Sequence, residues 1–200
     1  MFLMVFSARR GRNSYASFVL NQYIYAFMQF AKYPIWIEPL ADGHAGTLRT
    51  LEVMRWLVRK DSRNPFVRTK TTNFIEQQSS HSPVAALFLF ARDKIRYVPD
   101  PPNLEKVSDF EHTTASREGD CDDKVVWLGT ALLSIGVPVR FVVQSYDGGS
   151  WDHVYLEFYD WQAWGWTALD PTADGHTGLV ADVGWRQPLP QRGREMVYEV

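Results

Sequence analysis

Residues 119–124 read Gly-Asp-Cys-Asp-Asp-Lys and stand at the head of the most regular apolar run in the chain. Four apolar residues follow the cysteine at helical spacing: Val125, Leu128, Leu132 and Ile135. Gly136 and Pro138 are typical of a helix end. The sequence therefore predicts a helix with Cys121 in its first turn, where free backbone N–H groups favour a thiolate. We interpret Cys121, the only cysteine of the chain, as a nucleophile.

The segments on either side of this helix predict the fold class. Before it, helix starts are indicated at Thr47, Asn64-Pro65 and Ser82-Pro83, and the last two pair a capping residue with an N1 proline. After it, residues 139–146, 151–159 and 164–170 are rich in β-branched and aromatic residues and predict strands. Helices followed by strands favour an α+β fold, in which a helical N-terminal half packs on a C-terminal antiparallel sheet.

The chain divides into three predicted parts. Residues 1–46 form an N-terminal arm and connection with at most a short strand at 35–37, residues 47–173 form the domain, and residues 174–200 form an irregular C-terminal tail. The aromatic-rich run 15–30 is either a helix packed on its own domain or a segment that docks into a neighbouring subunit. Residues 103–118 show no period, so they form one wall of a cleft or a surface loop.

Composition narrows the classes of function. The chain has 21 Lys and Arg against 23 Asp and Glu, which gives a net charge of −2. This balance does not favour the binding of nucleic acid. One cysteine excludes an internal disulfide framework and a zinc site with two thiolates. The acidic residues around Cys121 lack the spacing of an EF-hand, and no phosphate-binding glycine loop is present, so we expect no metal and no cofactor. Polar residues in the run 15–30 make it a poor membrane span.

Strand parity joins two further residues to Cys121. If the hairpin loop covers 160–163, Tyr159 pairs with Trp164 and His153 lies directly opposite Asp170. Opposite residues have Cβ atoms about 5 Å apart, so a carboxylate there can hold an imidazole by one nitrogen. Each residue alone has a structural explanation, but together they predict a Cys-His-Asp triad that attacks a carbonyl and forms a thioester.

Other residues are predicted to lie near the triad. Asp120 is the predicted N-cap of the helix, and like its acidic neighbours it opposes a thiolate unless its carboxylate points away from the sulfur. Tyr97 or His112 is a candidate second donor of an oxyanion hole beside the N–H of Cys121, or lines the site.

The three triad residues lie within a set of four stretches that together resemble the transglutaminase-like branch of the papain-like cysteine enzymes. The stretches are Gly119-Asp-Cys-Asp-Asp-Lys124, residues 132–143, Asp152-His-Val-Tyr-Leu-Glu157 and Trp166-Thr-Ala-Leu-Asp-Pro-Thr172. The resemblance covers about residues 82–173. The resemblance implies that Cys121 is the nucleophile, His153 the base and Asp170 the orienting acid, with Trp166 as a site-lining residue. It also implies a cysteine helix packed on an antiparallel sheet.

A looser resemblance, over 46–100, is to the transglutaminase-like proteins of tailed bacteriophages and prophages. It implies a virion or assembly component at the tail or head–tail region, with the aromatic N-terminal arm docked on phage structural proteins. The protein would then lie in the host cytoplasm, the assembled virion, or both.

Three functions remain open from the sequence. The first is a cysteine hydrolase, a peptidase or amidase, that acts on a protein or peptide. The second is a protein-glutamine acyltransferase that cross-links, because both chemistries use one triad. The third is a structural or adaptor subunit of a phage particle whose triad is vestigial.

Overall fold

The structure is a computed structural model that describes residues 35–39, 43–78, 80–172 and 192–200. Its helices, in chain order, are α1 (Gly43–Asp61), α2 (Pro65–Glu76), α3 (Pro83–Lys94), α4 (Phe110–Ser116) and α5 (Cys121–Ser134). Its strands are β1 (Ile35–Pro39), β2 (Arg96–Tyr97), β3 (Leu104–Ser108), β4 (Glu118–Gly119), β5 (Val139–Ser145), β6 (His153–Asp160), β7 (Gly165–Leu169) and β8 (Arg194–Glu199). All of them belong to one compact unit, Tyr33–Val200.

The predicted α+β fold is confirmed. Helices α1 to α5 precede an antiparallel sheet with the order β7-β6-β5-β8, and α5 packs between that sheet and the helices α1, α3 and α4. The two helices predicted to begin at a proline do so, at Pro65 and Pro83. Their N-cap side chains accept backbone hydrogen bonds: Asn64 Oδ1 from the N–H of Phe66 and Ser82 Oγ from the N–H of Ala85. Helix α1 begins at Gly43, one turn before the predicted Thr47.

Helix α5 is the centre of the core. Twelve of its fourteen residues are buried, and the two that are not are Cys121 and Leu133. Trp127 stacks on Phe90 and Phe110 with ring centroids 4.8 and 5.3 Å apart, and its Nε1 donates to Thr114 Oγ1 at 2.8 Å. Because a fully buried helix has no free side, its N-terminus and Cys121 are held in one position relative to the sheet.

The structure contradicts one expectation, that of an irregular tail, and shows that residues 103–118 are ordered. They contain β3, α4 and β4; β3 pairs with β1 and β4 with β2, so hydrogen bonds to distant strands leave no local period in the sequence. The tail expected to be irregular contains β8, which pairs with β5 along its whole length. The aromatic run 15–30 lies outside the described residues.

The register of the β6–β7 hairpin also differs from the prediction. Asp160 pairs with Gly165 and Tyr159 with Trp166, so the loop covers 161–164 rather than 160–163. Trp164 adopts a left-handed backbone angle, φ 52°, that closes this later turn. His153 is therefore not directly opposite Asp170 but is offset by two residues. A shift of two keeps every side chain on its predicted face.

The part of the chain that the structure describes contains no helix long and apolar enough to cross a membrane.

Candidate active site

His153 and Asp170 form a direct pair at the ends of neighbouring strands. Nε2 of His153 and Oδ2 of Asp170 are 2.8 Å apart, and both side chains are buried. The other carboxylate oxygen, Oδ1, accepts the backbone N–H of Thr172 at 3.0 Å. The carboxylate is thus held from two sides, and Nδ1 is the imidazole nitrogen left to act on another group.

Cys121 lies beside this pair. It occupies the first position of α5, and its sulfur accepts a hydrogen bond from the backbone N–H of Val154, the residue after His153. Cys121 and His153 line the same cavity of about 400 Å³, at the junction of α1, the N-terminus of α5 and the start of β6. The three predicted triad residues therefore meet at one place.

The electrostatic surroundings do not favour a resting thiolate at Cys121. Burial raises the pKa of the Cys121 thiol well above its usual range, and Asp120, Asp170 and Glu105 raise it further. The hydrogen bond from Val154 acts in the opposite direction but is the smaller effect. The raised pKa favours the neutral thiol, so attack by the sulfur requires removal of the proton at the same time.

A network of charges fixes the start of α5 to β3. The carboxylate of Asp123 accepts hydrogen bonds from Lys106 Nζ at 2.5 Å and from the backbone N–H of Ser108 at 2.6 Å. Gly119 lies against this carboxylate, since a Cβ there would come within 2.4 Å of Asp123 Cβ. On the other side, the buried Lys124 donates to the carbonyl of Pro171 at 3.0 Å, next to Asp170.

The remaining predicted site residues divide into two groups. Asp120 lines the cavity at the N-cap position, although its side chain makes no capping hydrogen bond. The other three are not among the described residues that line it. Tyr97 lines a separate cleft with Arg96 and Arg117. His112 lies half-buried on α4, and Trp166, on β7, packs against Tyr159 of β6.

Several cavity residues had no sequence signal. Glu105 comes from β3, within the stretch without a period, and so supports the cleft-wall interpretation of 103–118. Trp151 borders the cavity, donates from Nε1 to Nδ1 of His44 at 3.1 Å, and lies 4.4 Å from the guanidinium of Arg194. Only the pairing of distant segments brings these residues together.

A family model describes this arrangement of helix and strands. The model of the transglutaminase-like superfamily matches residues 67–171, which run from α2 to the residue after Asp170. The chain belongs to this superfamily. The transglutaminase-like match spans α5, β5, β6 and β7, and therefore all three residues of the predicted triad. A search of curated proteins found no match.

Solved structures similar to this transglutaminase-like chain include three with low sequence identity. A candidate protease from Parabacteroides distasonis is 14% identical with a TM-score of 0.41, over 55% of this chain and 24% of its own. A structure described as a TGase is 14% identical with a TM-score of 0.40, over 81% and 39%. A candidate cysteine protease from Cytophaga hutchinsonii is 12% identical with a TM-score of 0.36, over 82% and 59%. The chain thus covers less than two thirds of each of these proteins.

Proposed function

We propose that the protein is a cysteine hydrolase that cleaves an amide bond in a protein or peptide. The observation that carries the proposal is the common cavity of Cys121 and His153, with Asp170 on the far nitrogen of the imidazole. Membership of a superfamily of cysteine hydrolases and acyltransferases supports the reaction class. We assign the activity to the unit that runs from β1 to β8, because both terminal strands pair with strands of the domain.

The proposed reaction follows from the cavity that Cys121 and His153 share and from the Nε2 hydrogen bond to Asp170, which leaves Nδ1 for the thiol. As Sγ of Cys121 attacks the carbonyl carbon, Nδ1 of His153 takes the thiol proton, and Asp170 stabilises the imidazolium through Nε2–H. The backbone N–H of Cys121 lies at the helix start, where N–H groups have no partner within the helix, and is a donor for the developing oxyanion. The imidazolium returns the proton to the leaving amine as the C–N bond breaks, which leaves a thioester.

Hydrolysis of the thioester restores the enzyme. His153 removes a proton from water as the oxygen attacks the thioester carbon. The C–S bond then breaks to give a carboxylic acid, and the imidazolium returns the proton to the sulfur of Cys121. The imidazole thus deprotonates the neutral thiol in the first half of the reaction and water in the second.

The experiment compares peptide cleavage by the wild type and by Cys121→Ala. A mixture of peptides is incubated with each protein, and the products are identified by mass spectrometry. We expect cleavage by the wild type only, with loss of at least about 10⁴-fold in the variant because the triad acts as a unit. A transient mass increase on Cys121 supports the thioester, while identical products from both proteins would contradict the proposal.

Two finer predictions have their own tests. Capture of the thioester by a primary amine would give cross-linking, and incorporation of a fluorescent amine into a glutamine-bearing protein, dependent on Cys121, measures it. The role in a phage particle remains a prediction from the sequence, since the proposed docking arm lies outside the described residues. Stoichiometric presence of the protein in purified particles is the observation that tests it.

A further inference from the structure

The cavity at Cys121 is lined by acidic side chains. Five of the described residues that line it carry a carboxyl group, and no Lys or Arg is among the described lining residues. The five are Glu38, Glu105, Asp120, Asp122 and Asp152. The chain as a whole is nearly balanced in charge, so this concentration is a local property of the cavity.

The carboxylates of Glu38 and Asp152 have partners in the protein. Glu38 lies 3.8 Å from the guanidinium of Arg49. Asp152, at the exposed rim, accepts the N–H of Tyr146 at 2.8 Å and the hydroxyl of Ser150 at 2.7 Å. Neither of these two carboxylates is free to provide the main contact with a ligand.

The inner three carboxylates are crowded together without Lys or Arg among the described residues that line the cavity, and Glu105 is hydrogen-bonded to Thr50 and to Asp122. Asp122 is only 4% exposed, and its Oδ1 has no hydrogen-bond partner among the described groups. The Oδ1 of Asp120 is also buried without a partner. Burial and the neighbouring Asp120 raise the pKa of Asp122 well above its usual range, and burial raises that of Glu105. A buried acceptor without a donor is costly, so the cluster has the properties of half a binding site.

A metal ion is the competing occupant, and the donor set argues against it. One carboxylate oxygen each from Asp120, Asp122 and Asp123 lie within 4.8 Å of one another. Both oxygens of Asp123, however, are already engaged by Lys106 and Ser108. With Asp123 engaged, the carboxylates left for a metal ion are those of Glu105, Asp120 and Asp122, and backbone carbonyls or water would have to complete the six to eight oxygen ligands that calcium takes.

We propose that the acidic cluster of Glu105, Asp120 and Asp122 binds the positively charged side chain, Lys or Arg, of the acyl substrate next to the bond that is cleaved. The inference rests on the proposed function and names its substrate class. An ammonium or guanidinium supplies both the positive charge and the N–H donors that the unpartnered oxygens of Asp120 and Asp122 lack.

The charged group acts as an anchor and not as the attacking amine. Carboxylates stabilise the protonated form of an amine, and a protonated amine has no lone pair with which to attack a thioester. The same cluster therefore favours water over an amine as the second nucleophile, and hydrolysis over cross-linking.

The experiment measures binding, so that it does not depend on turnover. The peptide acetyl-Ala-Ala-Lys-Ala-Ala-amide and its counterpart with norleucine in place of Lys are titrated by calorimetry into Cys121→Ala. The same titrations are made after adding Glu105→Gln or Asp122→Asn, with Glu76→Gln as the matched control on an exposed face of α2. Circular dichroism melting checks that each variant folds.

We expect the Lys peptide to bind at least about tenfold more tightly than the norleucine peptide, because the charge pair is partly desolvated. Glu105→Gln and Asp122→Asn should each remove most of this preference, and Glu76→Gln should leave it unchanged. Equal affinity for the two peptides, or no binding of either, would overturn the inference. Displacement of the Lys peptide by calcium chloride at stoichiometric concentration would overturn it too, in favour of a metal occupant. None of these results depends on hydrolysis, so the proposed function is tested separately.

Discussion

Replacement of Asp170 by Asn tests how His153 is held. The two carboxylate oxygens of Asp170 each accept one hydrogen bond, from His153 Nε2 at 2.8 Å and from the N–H of Thr172 at 3.0 Å. Asn has a single acceptor oxygen, so one of the two donors must face the amide NH₂ group. The backbone N–H of Thr172 is always a donor, whereas the imidazole can change its tautomer. We therefore expect the amide oxygen to face Thr172 and the NH₂ group to face His153.

That arrangement moves the imidazole proton to Nδ1, the nitrogen that must accept the thiol proton. In serine proteases the corresponding replacement lowers turnover by about 10⁴-fold for the same reason. General-base assistance is worth about 10²–10⁴-fold, so we expect alkylation of Cys121 at neutral pH to slow by at least about 100-fold, or about 2.7 kcal/mol in activation free energy. The raised thiol pKa makes the effect visible, because little thiolate is present to react without the base.

The assay follows iodoacetamide labelling by intact mass, which reports one site because the chain has one cysteine. Asp160→Asn is the matched control. Asp160 also closes a turn, but only its Oδ1 accepts hydrogen bonds, from the N–H groups of Gln162 and Ala163, so Asn can replace it. Labelling of Asp170→Asn within twofold of the wild type, with the fold intact, would refute the reasoning about the tautomer.

Three further changes test the packing around the site. Gly119→Ala should lower the free energy of unfolding by about 1–3 kcal/mol, measured in urea, since its Cβ would come within 2.4 Å of Asp123 Cβ; an unchanged midpoint would contradict this. Asp100→Asn should stabilise the protein by about 1–2 kcal/mol above pH 7 and not at all below pH 4. Burial raises the pKa of Asp100 from 3.8 to about 7, so the charged form costs stability as pH rises through that range, and partial exposure reduces the cost; urea unfolding at several pH values measures it. Thr114→Val should cost about 1–3 kcal/mol in the same assay because Trp127 Nε1–H loses its acceptor, and a neutral effect would show that another group replaces it.

The sequence was informative about this site wherever the signal was local. The position of Cys121 in the first turn of α5, the two proline helix starts and the helix-then-strand order could all be predicted from spacing and capping residues. The hairpin register was wrong by two residues, because the left-handed angle at Trp164 is not evident from its residue type. His153 and Asp170 still meet, because the face of a strand repeats every two residues.

The parts that could not be predicted depend on distant pairing. Glu105 reaches the cavity only because β3 pairs with β1, a strand separated from it by three helices. The protonation of Cys121 also required coordinates, since the helix start and the neighbouring carboxylates act in opposite directions on the thiol. Burial and the carboxylates raise the pKa of the thiol well above its usual range. The pKa of a side chain depends on all charged groups near it in the folded protein, and many of these come from distant parts of the sequence.

The burial of α5 has a consequence for how this family can diversify. Twelve of the fourteen side chains of that helix are buried, and a change of volume at a buried position costs stability. The helix that presents the sulfur therefore tolerates few substitutions. The opposite wall, from α1 and the loop before β6, contributes half-exposed residues such as Thr47 and Thr50 and exposed ones such as Ser150, where side chains can vary at little energetic cost. New specificities should therefore arise by exchange of side chains on that wall, while the helix stays constant.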